Sequence, residues 1–264
     1  MQRVPTNSTS LERRIKSVLP MRVKGFINRH LTSRLVGKVI QKYFRRSLLG
    51  AYYDFTVVEP RVAASIFFGL WESAEIEFSK RHVRDHDVIV ELGSSLGATL
   101  ATLVSTKKIS RYIAVEANPN RIDQLHRISR LFDCCDITII GAAVDYSGGD
   151  EVDFLSSTIL ESKVGKFAKA TEQGDWYSVH TATLSEILKQ SDLQDSDYVL
   201  ITDIEGAESD LFFEDLESLR NCGKILCELE STHCYSVDQQ IDRLEQAGYE
   251  MVEFYGDVYC FVKS

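Results

Sequence analysis

Short apolar runs alternate with amphipathic segments along most of the chain. Runs rich in β-branched residues predict strands near 88–92, 111–116, 136–141, 197–203 and 223–230. Apolar positions at helical spacing predict helices near 60–80, 96–106, 119–132, 206–220 and 236–247. Such alternation is typical of a mostly parallel sheet with helices on both faces. Ligands of these sheets bind beyond the carboxyl ends of the strands, so residues there are the first candidates for a site.

Two stretches depart from this alternation. Residues 249–255 and 258–263 predict a closing pair of strands joined by a turn at Gly256 and Asp257, so one antiparallel strand is expected at the edge of the sheet. After a short predicted strand near 151–155, residues 156–175 are polar and irregular. We expect them to form an exposed loop or flap.

The N-terminal part of the chain has a pattern of its own. Ser10 begins a predicted short helix that Pro20 ends, and a second predicted helix runs from about 23 to 49. Its apolar stripe comprises Leu31, Leu35, Val36, Val39, Ile40, Tyr43, Phe44 and Leu48, whereas Arg34, Lys38, Lys42, Arg45 and Arg46 lie largely off it. Three interpretations stay open: a helical cap packed on the main domain, a basic helix on an anionic membrane surface, or a mitochondrial transit peptide. We assign residues 1–58 to a basic helical extension and residues 59–264 to the main domain.

Charge divides the chain in a similar place. Its 264 residues include 30 Lys or Arg and 39 Asp or Glu, for a net charge of −9. Residues 1–46 hold twelve basic residues and a single acid, so they carry +11 and the remainder carries −20. An acidic body argues against nucleic acid as a partner, because contacts to phosphates supply most of the affinity for nucleic acid.

Composition bears on location. No run approaches the roughly 20 apolar residues of a membrane-spanning helix, and no signal-peptide core is evident. The six cysteines lack metal-binding spacing, which favours free thiols in a reducing compartment. We therefore expect a cytoplasmic protein, with peripheral contact to a membrane surface through residues 1–48 as an open alternative. No metal and no oligomeric state are predicted.

The first ligand-binding motif is a strand that enters a glycine turn, with the spacing Glu91-x-Gly93-x-x-x-Gly97. This is not the G-x-G-x-x-G that holds a dinucleotide pyrophosphate. Glycine admits a ligand close to the backbone, and Glu91 would repel a phosphate but attract an amine. S-adenosylmethionine carries an ammonium, a sulfonium and a carboxylate, and the carboxylate suits the free amides of residues 95–97 at a helix start. The alternative is a tight turn without a ligand.

Two further motifs place carboxylates after predicted strands. Glu116 ends the second strand about 20 residues beyond the glycine loop, where an acid accepts both ribose hydroxyls of a nucleoside. The alternative is a carboxylate that only caps the next helix. Asp203 and Glu205 follow a buried strand, and Gly206 lets a helix start close behind them.

The run from Asp203 to Glu208 resembles the D-V-E-G-A-E signature of FkbM-like S-adenosylmethionine-dependent methyltransferases. Over roughly residues 68–262, further segments follow in that family's order: Phe68–Glu72, the glycine loop, Val115–Pro119, Gly141–Val144, Thr183–Leu188 and Ile225–Glu230. The chain also departs from the family pattern. The family usually has Asp at the position of Glu91 and Ala-Asn at Ser94-Ser95, and often has Lys where this chain has Ile201.

The resemblance implies an α/β fold with a Rossmann-like class I methyltransferase sheet, mostly parallel with an antiparallel edge strand, behind the N-terminal helical extension. It implies S-adenosylmethionine as cofactor, with Glu91, Gly93, Ser95, Gly97, Glu116, Asn118 and Ala143 as binding residues. It also implies O-methylation of a small-molecule or glycan hydroxyl, on a sugar, a glycan or glycolipid precursor, or a natural product.

The catalytic candidates are the carboxylates at the strand ends. Asp203 is the first choice for the base that takes the hydroxyl proton, and Glu205 and Glu228 are second choices for orienting the acceptor. Three alternatives stay open. Ile201 and Ser94-Ser95 would suit a non-catalytic module that binds the cofactor, and carboxylates can also orient an amine for N-methylation. An NAD-dependent oxidoreductase is less favoured because its glycine fingerprint is missing.

Overall fold

The protein is described by a computed structural model that covers residues 31–156, 162–168 and 173–264. Its helices are α1 (Arg34–Tyr43), α2 (Pro60–Phe67), α3 (Ser73–His82), α4 (Ala98–Thr106), α5 (Pro119–Ser129), α6 (Leu184–Gln190), α7 (Glu208–Glu214) and α8 (Val237–Gln246). Its strands are β1 (Val88–Leu92), β2 (Arg111–Glu116), β3 (Asp136–Gly141), β4 (Ala143–Val144), β5 (Glu151–Ser156), β6 (Ser162–Val164), β7 (Asp175–Ala182), β8 (Tyr198–Thr202), β9 (Cys222–Glu228), β10 (Tyr249–Tyr255) and β11 (Val258–Lys263). Short 3₁₀ helices lie at Phe55–Val57, Gly165–Phe167 and Leu216–Asn221.

Seven strands form the main sheet in the order β10-β11-β9-β8-β1-β2-β3. Parallel pairing joins β3, β2, β1, β8 and β9, whereas β11 is antiparallel to both β9 and β10. The predicted fold class, a Rossmann-like and mostly parallel sheet with one antiparallel strand at its edge, is confirmed. The reversed strand β11 lies just inside the edge strand β10. Strands β1 and β8 are buried almost throughout, as expected when helices cover both faces.

The register of the central strands decides what meets at the carboxyl edge. Leu92 at the end of β1 pairs with Val115 of β2 and with Thr202 of β8, and Thr202 pairs with Cys227 of β9. The residues at or just after these positions are therefore brought to one edge of the sheet. They include Gly93, Glu116, Asp203 and Glu228.

A second sheet stands over this edge, with strand order β4-β7-β5-β6. Part of it, β6, lies in the segment that the sequence predicted to be an irregular flap, while residues 157–161 and 169–172 of that region lie outside the described residues. Strand β7 was not predicted because its exposed and half-buried residues form no apolar run, and Val179 alone is buried there. The alternation of apolar and polar residues that marks a strand is missing from β7 because the second sheet contacts mainly its own strands and few other elements.

Several predicted helices differ from the structure at their bounds, and α6 was not predicted. The helix predicted over 206–220 is α7 followed by the 3₁₀ helix Leu216–Asn221. The helix predicted over 60–80 is broken into α2 and α3, because Gly69 (φ 67°) and Glu72 (φ 42°) both adopt the left-handed conformation between them. The helix predicted over 23–49 is helical from Arg34, capped by the Ser33 hydroxyl, to Tyr43. Its first part, like the short helix predicted after Ser10, lies outside the described residues.

Helix α1 packs on α2 through its smallest residue. A Cβ at Gly37 would lie 1.7 Å from the carbonyl oxygen of Pro60, so the backbones touch there. Ile40 is also buried, but Leu35, Val39 and Tyr43 are 76%, 48% and 68% exposed. The main domain therefore covers only part of the predicted apolar stripe.

The chain beyond α1 enters the core. Tyr53 and Phe55 are fully buried, and the Tyr53 hydroxyl donates to the carbonyl oxygen of Leu96 at 2.7 Å. The boundary placed after residue 58 stays a prediction. All six cysteines are free, as their spacing predicted. No helix among the described residues is both long enough and apolar enough to cross a membrane.

Candidate active site

The glycine loop after β1 is built from left-handed residues, Gly93 (φ 83°), Ser95 (φ 47°) and Gly97 (φ 69°). A Cβ at Gly93 would lie 1.9 Å from the carbonyl oxygen of Asp203, so only glycine lets the loops after β1 and β8 meet. The Gly93 N–H donates to the carbonyl oxygen of Val115 at 3.0 Å, which ties the loop to β2 as well. The glycine loop thus joins three strand ends.

Glu116, at the end of β2, holds this loop in place. Its Oε2 accepts the N–H of Ser95 and its Oε1 accepts the N–H of Asn118, both at 2.7 Å. Arg121 donates from Nη1 to the Ser95 hydroxyl at 3.2 Å. Each oxygen of the Glu116 carboxylate has a further lone pair, so Glu116 can fix the loop and still accept hydroxyl groups of a ligand.

The turn after β8 is also strained, with Glu205 at φ 55° and Gly206 at φ 101°. Glu208, which is 1% exposed, accepts the backbone N–H groups of Ile204 at 2.6 Å and Gly206 at 3.0 Å. These contacts make Glu208 a structural residue that shapes the turn. Glu205 turns towards the second sheet, where the Nζ of Lys163 lies 3.4 Å from its Oε2.

The outer cavity, as we call it, is an opening of about 650 Å³ between the ends of β1, β2 and β8 and the second sheet. It is lined by Glu72, Gly93, Ser95, Val115, Glu116, Ala117, Arg121, Ala142, Ala143, Val144, Phe154, Ser162, Val164, Asp203, Ile204 and Glu205. Polar groups lie towards the main sheet, and apolar side chains of β4, β5 and β6 close the other side. A flat apolar group and a polar, hydroxyl-bearing group can therefore both be accommodated.

The inner cavity is narrow. It adjoins the outer one at Glu72, Gly93 and Asp203 and runs between the main sheet and α3. It is lined by Glu72, Glu75, Ser79, Glu91, Leu92, Gly93, Thr99, Ile201, Thr202, Asp203, Leu226, Cys227, Glu228 and Val258. Five of these are acids, and none of the described residues that line it is Lys, Arg or His.

Backbone strain marks the same place. Five non-glycine residues of the described chain have positive φ, and three of them, Glu72, Ser95 and Glu205, line the outer cavity. Such conformations persist only where the surrounding structure enforces them, and they concentrate at functional sites.

The buried carboxyl groups of the inner cavity are hard to ionise. Burial, followed by the charges of Glu75 and Glu91, raises the pKa of Glu72 to about 8. Burial and the charge of Glu116 raise the pKa of Glu91 to about 7. Burial, then the charge of Glu228, raises the pKa of Asp203 well above its ordinary value.

Glu228 behaves in the same way at the end of β9. Burial and the neighbouring charge of Asp257 raise the pKa of its carboxyl group. In both cavities the pKa values rise because water is excluded and acids face acids.

The structure brings most of the predicted site residues together. Gly93, Ser95, Glu116 and Ala143 line the outer cavity, Glu91 lines the inner one, and Asp203, Glu205 and Glu228 lie side by side along one narrow crevice. Gly97 and Asn118 line neither cavity. Gly97 is the N-cap of α4, and the Asn118 side chain caps α5 and donates to Ser156 and Ser162 of the second sheet.

Three further residues belong to the site and were not predicted as site residues. Glu72 lines both cavities, Arg121 lines the outer one, and Lys163 pairs with Glu205. Glu72 had a weak signal, since it ends the aromatic–Glu segment noted in the sequence. Arg121 lies within an ordinary helix and Lys163 within the polar flap. No sequence motif therefore indicated that either residue belongs to the site. Within the described ranges, no group of three or more His, Cys, Asp or Glu residues is arranged to hold a metal ion.

Comparison with known families identifies one match. A family model described as the methyltransferase FkbM domain matches residues 87–251, which include the glycine loop, Glu116 and the turn after β8. No curated protein matches the chain at a significant level.

Several solved structures are similar in fold. Magnesium protoporphyrin IX methyltransferase from Synechocystis PCC 6803, solved with bound S-adenosylmethionine, is 8% identical with a TM-score of 0.46, over 86% of this chain and 97% of that one. Fibrillarin from Aeropyrum pernix, with natively bound S-adenosylmethionine, is 13% identical with a TM-score of 0.44, over 72% and 73%. Precorrin-6y C5,15-methyltransferase from Geobacter metallireducens is 15% identical with a TM-score of 0.42, over 73% and 89%.

Proposed function

The chain belongs to the FkbM methyltransferase family, whose methyl donor is S-adenosylmethionine, and on that premise we propose that it methylates a hydroxyl group of a sugar, a glycan or glycolipid precursor, or a natural product. The observation that carries this proposal is Asp203. It is a half-buried residue whose carboxyl group lies where the outer and inner cavities meet.

The outer cavity fits the donor in shape and in charge. The close approach at Gly93 leaves backbone exposed beside the cavity, and Glu116 is available for ribose hydroxyls. Among the described residues that line the cavity, four are acids and one, Arg121, is basic, so it suits a cationic ligand better than a phosphate. We assign Gly93, Ser95, Glu116 and Ala143 to donor binding. Gly97 and Asn118 support that set through the starts of α4 and α5.

The donor supplies an electrophilic methyl group on a sulfonium. The chain's own contribution is to hold the acceptor hydroxyl near Asp203 and to accept its proton there. A raised pKa makes Asp203 the stronger base once it is ionised, and a positioned base of this kind contributes about 10²- to 10⁴-fold in rate. Glu205 and Glu228, which lie along the same narrow crevice as Asp203, would orient the acceptor.

Of the three alternatives, the oxidoreductase is set aside, and the binding module and N-methylation remain as outcomes of the test. The family match makes the chain a methyltransferase, which replaces the NAD-dependent oxidoreductase alternative. A protein that binds the donor without turning it over would be recognised by donor affinity without product. Holding the donor and the hydroxyl at attack distance is expected to contribute about 7–11 kcal/mol to lowering the barrier, so an active enzyme should be easily told from a binding module.

Labelled methyl transfer tests the proposal. The protein is incubated with isotopically labelled S-adenosylmethionine and extracts of hydroxyl-rich metabolites, and mass spectrometry locates the label. We expect label on oxygen, lost in Asp203→Asn and kept in the control Asp195→Asn, whose side chain is 91% exposed. Label on nitrogen or carbon, or full activity in Asp203→Asn, would contradict the proposal.

The pH dependence gives a second readout for Asp203. Because only the ionised carboxylate accepts a proton, and because burial raises its pKa, kcat is expected to increase with pH. Calorimetry with S-adenosylhomocysteine should show that Asp203→Asn still binds the donor product within a few fold of wild type. If Asp203→Asn lost both methyl transfer and S-adenosylhomocysteine binding, Asp203 would be assigned to donor binding instead.

We also propose peripheral contact with an anionic membrane through residues 1–48. The support comes from the described part of that segment. Leu35, Val39 and Tyr43 are exposed along one line of α1, and Arg34, Lys38 and Lys42 are exposed along the next. Exposed apolar side chains beside basic ones are the arrangement that interfacial helices present to anionic lipids.

Liposome co-sedimentation tests this contact with the full chain. The variant Lys38→Glu/Lys42→Glu is compared with Lys108→Glu/Lys189→Glu, which changes the net charge equally at exposed sites elsewhere. Each basic residue near an anionic surface contributes about 1 kcal/mol, so the first pair should weaken binding to phosphatidylserine vesicles at least tenfold. Equal binding by both pairs would remove the membrane contact.

A further inference from the structure

We propose that the inner cavity binds a protonated amine carried by the acceptor, so that the substrate is an amine-bearing alcohol such as an amino sugar or an amino alcohol. This inference rests on the proposed function, because it names the substrate class of the same site. It starts from the contrast between what lines the inner cavity and what lines the outer one.

The inner cavity gathers acids from four separate elements. Glu72 and Glu75 come from the start of α3, Glu91 from β1, Asp203 from the turn after β8 and Glu228 from β9. Asp257, in the turn between β10 and β11, adds a further negative charge beside Glu228. No described residue that lines the cavity carries a positive charge, and Arg121 lies on the outer side. Poorly solvated acids of this kind either keep their protons or pair with a cation, and an ammonium group in the cavity would allow them to ionise.

One buried polar group independently points to a ligand. Ser79 of α3 is 0% exposed and lines the cavity, and its hydroxyl has no hydrogen-bond partner among the described residues. Glu91, which is 4% exposed, also lines the cavity, and its carboxyl group interacts with the hydroxyl groups of Ser94, Thr99 and Tyr112. Buried hydroxyl and carboxyl oxygens are normally satisfied, and an ammonium group with three donors would satisfy several acceptors at once.

The position of the cavity suits an acceptor group. It meets the outer cavity at Glu72, Gly93 and Asp203, so a molecule anchored in the inner cavity extends past Asp203. An amine and a hydroxyl on neighbouring carbons of one substrate can then occupy the inner cavity and the place beside Asp203 together.

The donor's own ammonium does not account for the cavity. S-adenosylmethionine has one net positive charge, whereas five acids line the inner cavity and four line the outer one, with Glu72 and Asp203 common to both. A metal ion is not favoured either, because no group in the described residues has the arrangement of a metal site. An organic cation on the second substrate is the remaining source of positive charge.

Calorimetric titration with n-butylammonium and with neutral n-butanol tests the proposal. Both are titrated into the wild-type protein saturated with S-adenosylhomocysteine. We expect the amine to bind at least tenfold more tightly than the alcohol. Because the buried carboxyl groups hold protons near neutral pH, amine binding should also release protons, seen as different heats in phosphate and MOPS buffers.

Variants on the cavity side and on the surface side of α3 distinguish binding in the cavity from a general effect of surface charge. Glu75→Gln, in the cavity, and Ser79→Ala should each weaken butylammonium binding by roughly ten- to a hundredfold, the value of a hydrogen bond to a charged group. Glu77→Gln, on the same helix but paired with Arg81 at its surface, should not. Ile201→Lys, which places an ammonium in the cavity, should abolish amine binding and proton release together.

The outcomes separate this inference from the proposed function. Equal binding of amine and alcohol, absence of proton release, or equal effects of Glu75→Gln and Glu77→Gln would overturn the amine site while S-adenosylhomocysteine binding stands. Competition between butylammonium and S-adenosylhomocysteine would assign the cavity to the donor's ammonium and also overturn it. Loss of S-adenosylhomocysteine binding by the wild type would instead contradict the proposed function.

Discussion

The outer and inner cavities are walled by the same strand ends, yet their carboxylates are treated differently. In the outer cavity, Glu116 accepts two backbone N–H groups and Glu205 pairs with Lys163. In the inner cavity, no basic side chain among the described residues lines the wall, and the Ser79 hydroxyl has no hydrogen-bond partner among them. We call a carboxylate compensated when protein N–H groups or a basic side chain pair with it, and uncompensated when none does. The difference teaches that a compensated carboxylate holds the loops in place, whereas an uncompensated one lowers stability and is available to a ligand.

The largest effect is expected where the two cavities meet. Gly93→Ala puts a methyl group against the Asp203 carbonyl in a left-handed backbone, so it should lower the free energy of unfolding by about 3 kcal/mol or more and abolish S-adenosylhomocysteine binding. Gly248→Ala is the control, since Gly248 has φ 89° but no atom within 4 Å of its Cβ position. It should cost only the conformational penalty of about 1–2 kcal/mol. Urea unfolding and calorimetry measure both, and equal effects would show that the contact at Gly93 is not limiting.

The pH dependence of the free energy of unfolding tests whether Glu91 in the inner cavity is hard to ionise. Unfolded, Glu91 has its ordinary pKa of 4.5, and in the fold burial raises the pKa to about 7. Between these values the unfolded state loses its proton first, so the free energy of unfolding falls as pH rises, by up to about 1.4 kcal/mol per pH unit.

Glu91→Gln removes this titration and should make the fall between pH 5 and pH 7 less steep, while the other carboxyl groups with raised pKa values keep their share of it. Glu245→Gln, on the exposed face of α8, should leave the slope unchanged. Thermal or urea unfolding across this range makes the measurement. A wild-type slope retained in Glu91→Gln would mean that Glu91 ionises freely and that the two cavities do not differ as described.

A double-mutant cycle measures how strongly a compensated carboxylate of the outer cavity, Glu205, is paired with Lys163. Lys163→Met removes the ammonium that lies 3.4 Å from Glu205, and Glu205→Gln removes the carboxylate. Because the two side chains are 10% and 23% exposed, we expect a coupling of about 1 kcal/mol in the free energy of unfolding, more than an exposed pair contributes. A coupling near zero would place Glu205 with the uncompensated acids.

The smallest effect concerns the strained loop of the outer cavity. Ser95 adopts φ 47°, a conformation that asparagine enters more readily than serine. Ser95→Asn should raise the free energy of unfolding by a few tenths of a kcal/mol and change S-adenosylhomocysteine affinity. His86→Asn, at an exposed residue with φ 70°, is the control and should leave that affinity unchanged. If neither affinity moves, Ser95 shapes the loop but does not contact the donor.

The central strands and the loops after them could be predicted from the amino-acid sequence. Strands β1 and β2 have the predicted bounds, and β8 differs by one residue at each end, because buried parallel strands require unbroken β-branched runs. Gly93, Glu116 and Asp203 follow or end such strands, so their meeting at one edge was foreseeable from topology alone. The second sheet was not, since β7 has a mixed pattern that only its neighbours β4 and β5 make into a strand.

What the sequence by itself determined is the mostly parallel sheet, the glycine loop and the set of acids at its carboxyl edge, because each depends on residues that are local in the chain. What only the tertiary structure decided is which acids are compensated. Arg121 and Lys163 reach the outer cavity from α5 and β6, and Glu72 reaches both cavities from a left-handed turn. The same holds for α1, where helical periodicity indicates a stripe but the close contact at Gly37 decides that Leu35 and Tyr43 stay exposed. Charge compensation and burial are properties of neighbours distant in sequence, so no local pattern encodes them.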